Sequence, residues 1–227
     1  MPQIEIQDLT MRYMISNQEI VAVDGATLTV GRGDFLSVVG HSGSGKTTLL
    51  SIIGGIIRQS SGRVLYQGAD ISTLDDDGMS RYRNSQVGFM FQFASLLPML
   101  TVKENLLLPT VFMPEPNGYE AARKAEKLLG MVGLTDKINA YPEQLSGGQQ
   151  RRVASARAFM NNPAIILADE PTGDLDEETE HQMIDFFREM NRSAGITFIM
   201  VTHNTDLAKQ APRQFLMHRG AIQELSS

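Results

Sequence analysis

The chain begins with alternating apolar and polar residues, the pattern typical of half-buried β-strands. Two segments of this kind, IEIQDLTMRYM and EIVAVDGATLTV, predict short strands and turns. The apolar run FLSVVG predicts a strand that enters a glycine loop, and a helix is expected from residue 46 to about residue 57. The segment GRVLYQGADI predicts a strand pair around a Gln67-Gly68 turn, which returns the chain to the same β-rich layer.

The pattern becomes helical after about Ser95. Prolines interrupt the first part of this stretch, at positions 98, 109, 114 and 116. In YEAARKAEKLLGMVGL the apolar residues then recur at intervals of three and four. These residues are Ala122, Ala125, Leu128, Leu129 and Val132. We therefore expect a helical insertion that lasts until roughly residue 158.

The last part of the chain alternates strands and helices. AIILAD is a continuous apolar run, as in a strand buried on both faces, and ITFIMVTH predicts another strand. Between them EETEHQMIDFFREMN predicts a helix that the Ala194-Gly195 pair ends. Its apolar residues are Met183, Ile184, Phe187 and Met190. A strand, a helix and a strand in this order imply a parallel sheet, so the predicted fold class is α/β.

Composition narrows the classes of function. With 227 residues the chain suggests one domain, or a core with one inserted subdomain, and 42% hydrophobic and 20% charged residues are ordinary for a globular protein. The net charge of -6 argues against a surface that neutralises nucleic-acid phosphates, and the absence of cysteine excludes disulfides and thiolate metal sites. Without a signal sequence or a long apolar run, we expect a cytosolic chain that reaches a membrane only through a partner.

The glycine loop GHSGSGKTT carries the first candidate chemistry. Its residues Gly40, Gly45, Lys46 and Thr47 satisfy the pattern G-x-x-x-x-G-K-[ST] between a predicted strand and a predicted helix. Glycines allow successive backbone N–H groups to converge on phosphate oxygens at the positive end of that helix. Lys46 can then reach the β and γ phosphates, and the Thr47 hydroxyl can ligate Mg²⁺. The alternative, a glycine-rich turn with a chance lysine, is disfavoured by the order of strand, loop and helix.

Polar residues at the ends of three further predicted strands complete a candidate site. Asp169 can hold the Mg²⁺ shell, and Glu170 can orient or deprotonate a water molecule aimed at the γ-phosphate. Gln92 ends a further apolar strand, predicted from VGFMFQ, and can contact Mg²⁺ or that water, and His203 stands at the end of the strand ITFIMVTH. Taken singly, these residues also fit a loop start, a helix cap or an exposed turn. Because the carboxyl ends of parallel strands gather at one edge of a sheet, one crevice can collect them.

The stretch LSGGQQRR predicts a second anion-binding helix start. Ser146 and Gln149 form a capping-box pattern, which by itself indicates only an ordinary helix N-terminus. That interpretation leaves Gly147 and Gly148 unexplained, because each glycine destabilises a helix by roughly 1 kcal/mol. Bare backbone at a helix N-terminus suits an anion, and the stretch therefore raises the question of which anion it serves.

Together and in this order, these motifs resemble those of the ATP-binding cassette (ABC) ATPases, over essentially the whole chain. GHSGSGKTT matches the Walker A loop, ILADE the Walker B strand, LSGGQ the signature, GDLD the D-loop, Gln92 the Q-loop and His203 the switch histidine. Tyr13 matches the aromatic residue that stacks on adenine. The resemblance implies an ATP site with Mg²⁺ formed by Tyr13, Gly40, His41, Ser42, Gly43, Ser44, Gly45, Lys46, Thr47, Thr48, Gln92 and Asp169.

The resemblance also implies roles in catalysis. Lys46 would hold the phosphates, Glu170 would polarise the attacking water and His203 would contact the γ-phosphate. The implied Mg²⁺ ligands are Thr47, Gln92 and Asp169. The signature would bind the ATP held by a second copy of the chain, so that hydrolysis requires a head-to-tail dimer with two ATP molecules between the subunits. The residues implied at that interface are Ser146, Gly147, Gly148 and Gln149 of the signature and Asp174 and Asp176 of the D-loop.

Within the family, FQFASLLPMLTVKENLLLP and LADEPTGDLD are similar to a bacterial branch with lipoprotein-releasing, macrolide-efflux and cell-division systems. Members of that branch work with a four-helix permease. Two residues depart from the branch pattern, since Asp174 stands where Asn is usual and His41 occupies a variable loop position. The implied layout is a P-loop NTPase core of about 1–92 and 159–227 with an N-terminal antiparallel β layer, and an inserted helical subdomain of about 93–158, in one domain of 1–227.

Three functions are weighed for such a domain. The leading hypothesis is a Mg-ATPase that powers export, efflux or lipoprotein extraction at the cytosolic face of the inner membrane. Its expected partners are a permease, a second copy of the chain and, through the permease, a periplasmic adaptor, and nucleic acid is not expected. The alternative is an ATP-driven regulatory switch that signals through a permease to a periplasmic hydrolase or sensor. A soluble ABC ATPase acting on DNA or ribosomes is disfavoured, because those relatives carry long coiled coils or two cassettes.

A permease would dock on the segment that follows Gln92. This segment predicts an apolar patch, which consists of Phe93, Leu96, Leu97, Pro98 and Met99. The competing interpretation, given equal weight, places Leu96 and Leu97 in the core of the helical subdomain.

Overall fold

The strands form two sheets in the computed structural model, which describes residues 1–113, 117–173 and 175–225. The strands are β1 (Ile4–Ile15), β2 (Gln18–Val30), β3 (Phe35–Val39), β4 (Ser61–Tyr66), β5 (Ala69–Asp70), β6 (Val87–Met90), β7 (Ile165–Asp169), β8 (Thr197–Thr202), β9 (Arg213–His218) and β10 (Ala221–Glu224). The helices are α1 (Lys46–Ile53), α2 (Asp76–Gln86), α3 (Val102–Leu107), α4 (Gly118–Met131), α5 (Gly147–Ala158), α6 (Glu177–Ala194) and α7 (Thr205–Ala208).

The N-terminal sheet is antiparallel, with the strand order β2-β1-β4-β5. The prediction of short strands is wrong here, because β1 has 12 residues and β2 has 13. A bulge explains the error: the ladder slips between Ile6 and Leu9, and Asp8 takes a positive φ of 47°. An extra residue in one strand breaks the alternation of buried positions, so one long strand looks like two short ones. The predicted pair around Gln67 and Gly68 is confirmed as β4 and β5.

The second sheet has the order β10-β9-β3-β8-β7-β6. All neighbouring strands from β9 to β6 pair in parallel, which confirms the predicted parallel sheet, and β10 pairs antiparallel with β9. Every residue of β3 and β8 is buried, as expected for strands covered on both faces. The carboxyl ends of β3, β6, β7 and β8 therefore lie along one edge.

Helix α1 ends at Ile53, four residues before the predicted end. Gly55 has a φ of 67°, in the left-handed region that ends helices, and Gly54 lies so close to the Phe89 ring that a Cβ would stand 1.9 Å from its Cζ. The glycine pair therefore stops the helix and lets it pack on the sheet. The predicted end of α6 at Gly195 is confirmed by a φ of 64°.

The segment between β6 and β7 is helical, as predicted, and contributes α3, α4 and α5 to one hydrophobic cluster. In α4 the buried face contains Ala125, Leu128 and Leu129. Helix α6 buries Phe186 in addition to the predicted Met183, Ile184 and Phe187, which gives it a wider apolar stripe. None of the helices in the described ranges combines the length and hydropathy that a membrane crossing requires.

Candidate functional site

The loop after β3 has the conformation that a phosphate loop requires. Gly45 has a φ of 105°, and a Cβ there would stand 2.0 Å from the carbonyl oxygen of Ala22. A Cβ on Gly40 would stand 2.3 Å from the carbonyl oxygen of Met217. The fold of this chain therefore requires both glycines, because no side chain fits between the loop and its neighbouring backbone.

Lys46 lies across this loop. Its Nζ donates to the carbonyl oxygens of Gly40 at 2.6 Å and His41 at 3.0 Å, and the residue is 7% exposed. Burial lowers the pKa of Lys46, and the nearby carboxylates of Glu170 and Asp169 oppose that shift. The amine is thus held at the mouth of the loop by oxygen acceptors.

Asp169, the last residue of β7, faces the start of α1. Its Oδ2 accepts a hydrogen bond of 2.8 Å from the Thr47 hydroxyl. Burial raises the pKa of Asp169, and the hydrogen bond from Thr47 acts in the opposite direction. Hydroxyl and carboxylate oxygens are donors that Mg²⁺ prefers, so this pair fits the predicted metal.

Glu170 follows Asp169 in a left-handed conformation, with a φ of 48°. Its Oε2 accepts from the Thr202 hydroxyl at 2.8 Å, and its Oε1 lies 2.7 Å from both the amide nitrogen and the Nδ1 of His203. The Glu170 side chain is 13% exposed and that of His203 is 72% exposed. Because the carboxylate is fixed on two sides, its position relative to the loop is set by β8 as well as by β7.

These residues surround one pocket of about 550 Å³. The lining brings together the residues predicted from the strand ends and the loop, and it adds Ala22 from β2, which no sequence pattern indicated. The lining consists of Ala22, His41, Ser42, Gly43, Ser44, Gly45, Lys46, Thr47, Thr48, Gln92, Asp169, Glu170 and His203. Gly40 lies beneath the loop, and Tyr13, which pairs with Ile20 in the β1–β2 hairpin, is not part of the lining.

The LSGGQ stretch starts α5, and its residues are not part of this lining. The predicted capping box is present, since the Gln149 amide donates to Ser146 Oγ at 3.2 Å and the Ser146 amide donates to Gln149 Oε1 at 2.9 Å. Ser146 and Gly147 are exposed, and a Cβ on Gly147 would meet no atom of the described residues within 4 Å. Unlike Gly40 and Gly45 of the phosphate loop, Gly147 is therefore not required by contacts with the described residues of this chain.

The D-loop is described in part. Asp176 caps the N-terminus of α6, where its Oδ1 accepts from the Thr179 amide at 2.9 Å. The hydrogen bond from the Thr179 backbone is the main cause of the lowered pKa of Asp176. The predicted interface residue Asp174 lies outside the described residues.

In the segment after Gln92, some residues fit the interpretation as a docking patch and one fits the interpretation as core of the helical subdomain. Phe93 is 75% exposed and Met99 is 74% exposed, and Leu97 is also exposed. Leu96 packs against the helical cluster. The core interpretation thus fits Leu96, whereas Phe93, Leu97 and Met99 are exposed as a docking surface would require.

Comparisons with known proteins agree with this geometry. Residues 23–173 match a family model described as ABC transporter. The chain is 38% identical over 224 residues to the lipoprotein-releasing system ATP-binding protein LolD of Alcanivorax borkumensis. This alignment covers 99% of this chain and 98% of that protein. The chain is also 37% identical over 222 residues to the macrolide export ATP-binding/permease protein MacB of Rhodopirellula baltica, in an alignment that covers 97% of this chain. The chain spans 32% of that relative's length.

Solved structures give the same result. A dimeric structure of a post-hydrolysis state of the ATP-binding cassette MJ0796 bound to ADP and Pi matches with a TM-score of 0.92. The sequence identity is 36%, and the match covers 99% of both chains.

Proposed function

Since this chain belongs to the ABC transporter family, we propose that it is the ATP-binding and hydrolysing subunit that powers a membrane permease for export, efflux or lipoprotein extraction. The observation that carries the proposal is the pocket at the strand ends, which gathers one amine, two carboxylates and two imidazole rings around a glycine loop. Such a set suits phosphoryl transfer to water, which requires positioned charge rather than a covalent intermediate.

In this proposal the loop and Lys46 bind the β and γ phosphates of ATP. The amine exchanges its contacts with loop carbonyls for phosphate oxygens, and the free N–H groups of the loop converge on the same oxygens. Thr47, Asp169 and the amide of Gln92 would hold Mg²⁺, which when bound neutralises charge on the phosphates.

Glu170 is the proposed general base. Its carboxylate accepts or orients a proton of the attacking water, while Thr202 and the His203 amide keep the carboxylate aimed at the pocket. The ring of His203 is 72% exposed, and in this proposal it turns toward the γ-phosphate by giving up its 2.7 Å contact with Glu170 Oε1. We assign the catalytic roles to Lys46, Glu170 and His203 on this basis.

We further propose that the signature acts on the ATP of a second copy of the chain. Ser146 Oγ accepts from its own helix, so its hydroxyl hydrogen remains available to donate to a phosphate. The open space around Gly147 supports this role, since a glycine that nothing in its own chain requires is explained by a close approach from outside. MJ0796 is described as dimeric, which supports the same arrangement. Gln149 would then act as the cap that orients Ser146.

The apolar patch after Gln92 is the proposed docking surface for the permease. Just before this segment in the chain, Phe91 stacks on Phe89 and lines a groove together with residues of α2 and the exposed Phe112. The groove lies between the part of the chain that ends at β6 and the helical segment. Its position therefore fits the proposed division into a core of about 1–92 and 159–227 and a helical subdomain of about 93–158.

Docking on a permease would place the chain at the cytosolic face of the membrane, with a periplasmic adaptor reached through the permease. The test is Mg²⁺-dependent ATP hydrolysis by the full chain with its permease in proteoliposomes. We expect hydrolysis that Glu170→Gln abolishes. No hydrolysis by the wild-type complex would refute the proposal. Hydrolysis that moves no cargo but activates a periplasmic hydrolase would favour the regulatory alternative.

Docking is tested separately by Phe93→Glu. Its matched control is Tyr119→Glu, which alters an equally exposed aromatic residue outside the segment after Gln92, at 73% compared with 75% exposure. We expect Phe93→Glu alone to lose permease binding while nucleotide binding is retained. Equal permease binding by both variants would contradict the docking surface.

A further inference from the structure

Arg151 joins three segments of the active site. It lies in the second turn of α5, and its Nη2 donates to the carbonyl oxygen of Gln92 at 2.7 Å. Its Nη1 donates to the carbonyl oxygen of Glu170 at 3.3 Å and also to that of Gly173. One guanidinium therefore bridges the Q-loop, the catalytic glutamate and the D-loop from the helix that carries the signature.

The contact with Glu170 is made where the backbone is strained. A φ of 48° is unfavourable for a residue with a Cβ, and it persists only where the surroundings hold it. The Glu170 amide donates to Val201 at 2.9 Å, and its carbonyl oxygen accepts from the Gly173 amide at 3.1 Å as well as from Arg151. Arg151 is thus the side chain that ties the strained peptide to the helical segment.

Gly173 lies directly against the guanidinium. A Cβ on Gly173 would stand 2.9 Å from Arg151 Nη1, closer than such atoms approach. A side chain at position 173 would therefore displace the guanidinium. The guanidinium of Arg151 can therefore take this position because residue 173 has no side chain.

We propose that Arg151 is a positioning residue, which holds the Glu170 peptide and the Gln92 carbonyl in register so that the carboxylate meets the attacking water. The proposal rests on the proposed ATPase function of this pocket. A lysine at this position would not reproduce the arrangement, because a guanidinium donates in two fixed directions whereas an ammonium is a single point charge. We expect the effect of Arg151 to fall on the transition state, since its hydrogen bonds to the described residues reach Gln92, Glu170 and Gly173 rather than the phosphate loop.

The test measures steady-state hydrolysis and fluorescent ATP-analogue binding by the full chain, alone and with its permease. We expect Arg151→Ala to lower kcat by about tenfold to a hundredfold, the effect of losing a charge-assisted hydrogen bond that acts in the transition state. The KM and the nucleotide Kd should stay within about twofold of wild type, because Arg151 contacts Gln92 through its backbone carbonyl and leaves the side-chain amide and Lys46 to bind the nucleotide. Arg151→Lys should give an intermediate kcat.

Arg188→Ala is the matched control, because Arg188 is a half-buried arginine that also donates to a backbone carbonyl, that of Gln210 at 3.2 Å. We expect this control to leave kcat unchanged. Gly173→Ala should lower kcat as Arg151→Ala does, and the double variant should be no slower than Arg151→Ala, because both changes remove the same contact.

Four results would overturn the proposal. The first is a wild-type kcat in Arg151→Ala. The second is an equal loss of kcat in Arg151→Ala and Arg188→Ala, because such a loss would come from packing in general and not from the position of Arg151. If the losses of kcat in Gly173→Ala and Arg151→Ala multiplied in the double variant, the two residues would act independently and the proposed shared contact would be wrong. A wild-type chain without hydrolysis would instead overturn the proposed function and this proposal with it, which distinguishes the two failures.

Discussion

Replacing Gly147 with alanine should stabilise the chain and inactivate it. Gly147 is the first residue of α5, it has no positive φ, and an added Cβ would meet nothing within 4 Å. Alanine favours the helix over glycine by up to about 1 kcal/mol, so the free energy of unfolding should rise by about 0.5–1 kcal/mol. For a chain of this length the Tm should rise by about 1–4 °C.

The same methyl group should abolish turnover in the proposed dimer. It would occupy the surface against which the phosphates of the second subunit's ATP pack, and displacing reacting groups by about 1 Å lowers a rate by about a hundredfold. The assays are thermal unfolding of the full chain without nucleotide and Mg²⁺-dependent ATP hydrolysis. Nucleotide binding by the unassembled chain should be unchanged, because Gly147 does not line the pocket.

Gly118→Ala is the matched control. Gly118 is the first residue of α4 after the cap Asn117, and a Cβ there also meets nothing within 4 Å. Both variants should gain similar stability, and only Gly147→Ala should lose hydrolysis. Wild-type hydrolysis by Gly147→Ala would refute the reasoning, as would a loss of stability specific to that variant, which would mean that the glycine serves this chain's own fold.

Three further changes follow from individual contacts. Thr202→Val keeps the buried shape but removes the 2.8 Å hydrogen bond to Glu170, so kcat should fall by about tenfold with unchanged ATP binding, measured by steady-state kinetics and binding. Gly54→Ala should lower the free energy of unfolding by about 1–3 kcal/mol in denaturant titrations, because its Cβ would overlap the Phe89 ring. Burial lowers the pKa of Lys124 from 10.5 to about 8, so the folded chain loses this proton first and stability should rise with pH between those values. Lys124→Gln should remove that rise in thermal unfolding measured from pH 7 to pH 10.5, and an identical pH dependence in both proteins would contradict it.

The sequence was sufficient to predict the parts of the fold in which periodicity and chain order agree. AIILAD and ITFIMVTH became the central strands β7 and β8, since continuous apolar runs have few alternatives to burial on both faces. The bulge at Asp8 and the early end of α1 could not be predicted, because both depend on backbone contacts between distant segments. The slip of β1 arises in its ladder with β2, and Gly54 packs against Phe89.

The candidate site was predictable wherever residues follow strand ends. Asp169, Gln92 and His203 share one pocket because the parallel pairing of β6, β7 and β8 aligns their carboxyl ends. Ala22 could not be found this way, since a small residue within an antiparallel strand carries no chemical signal. Arg151 was also missed, because in the sequence it reads only as a charged residue on a helix, and its acceptors are backbone oxygens far along the chain.

The central claim is that the working enzyme is a dimer in which each signature closes over the partner's ATP. The most direct measurement is the mass in solution of the Glu170→Gln chain, which should bind ATP without hydrolysing it, by sedimentation or light scattering with and without Mg-ATP. We predict the 25.0 kDa monomer without nucleotide and a species of about twice that mass with Mg-ATP, and no such shift when Gly147→Ala is added. A monomer that persists in Mg-ATP, or a dimer that forms equally well with Gly147→Ala, would contradict the account.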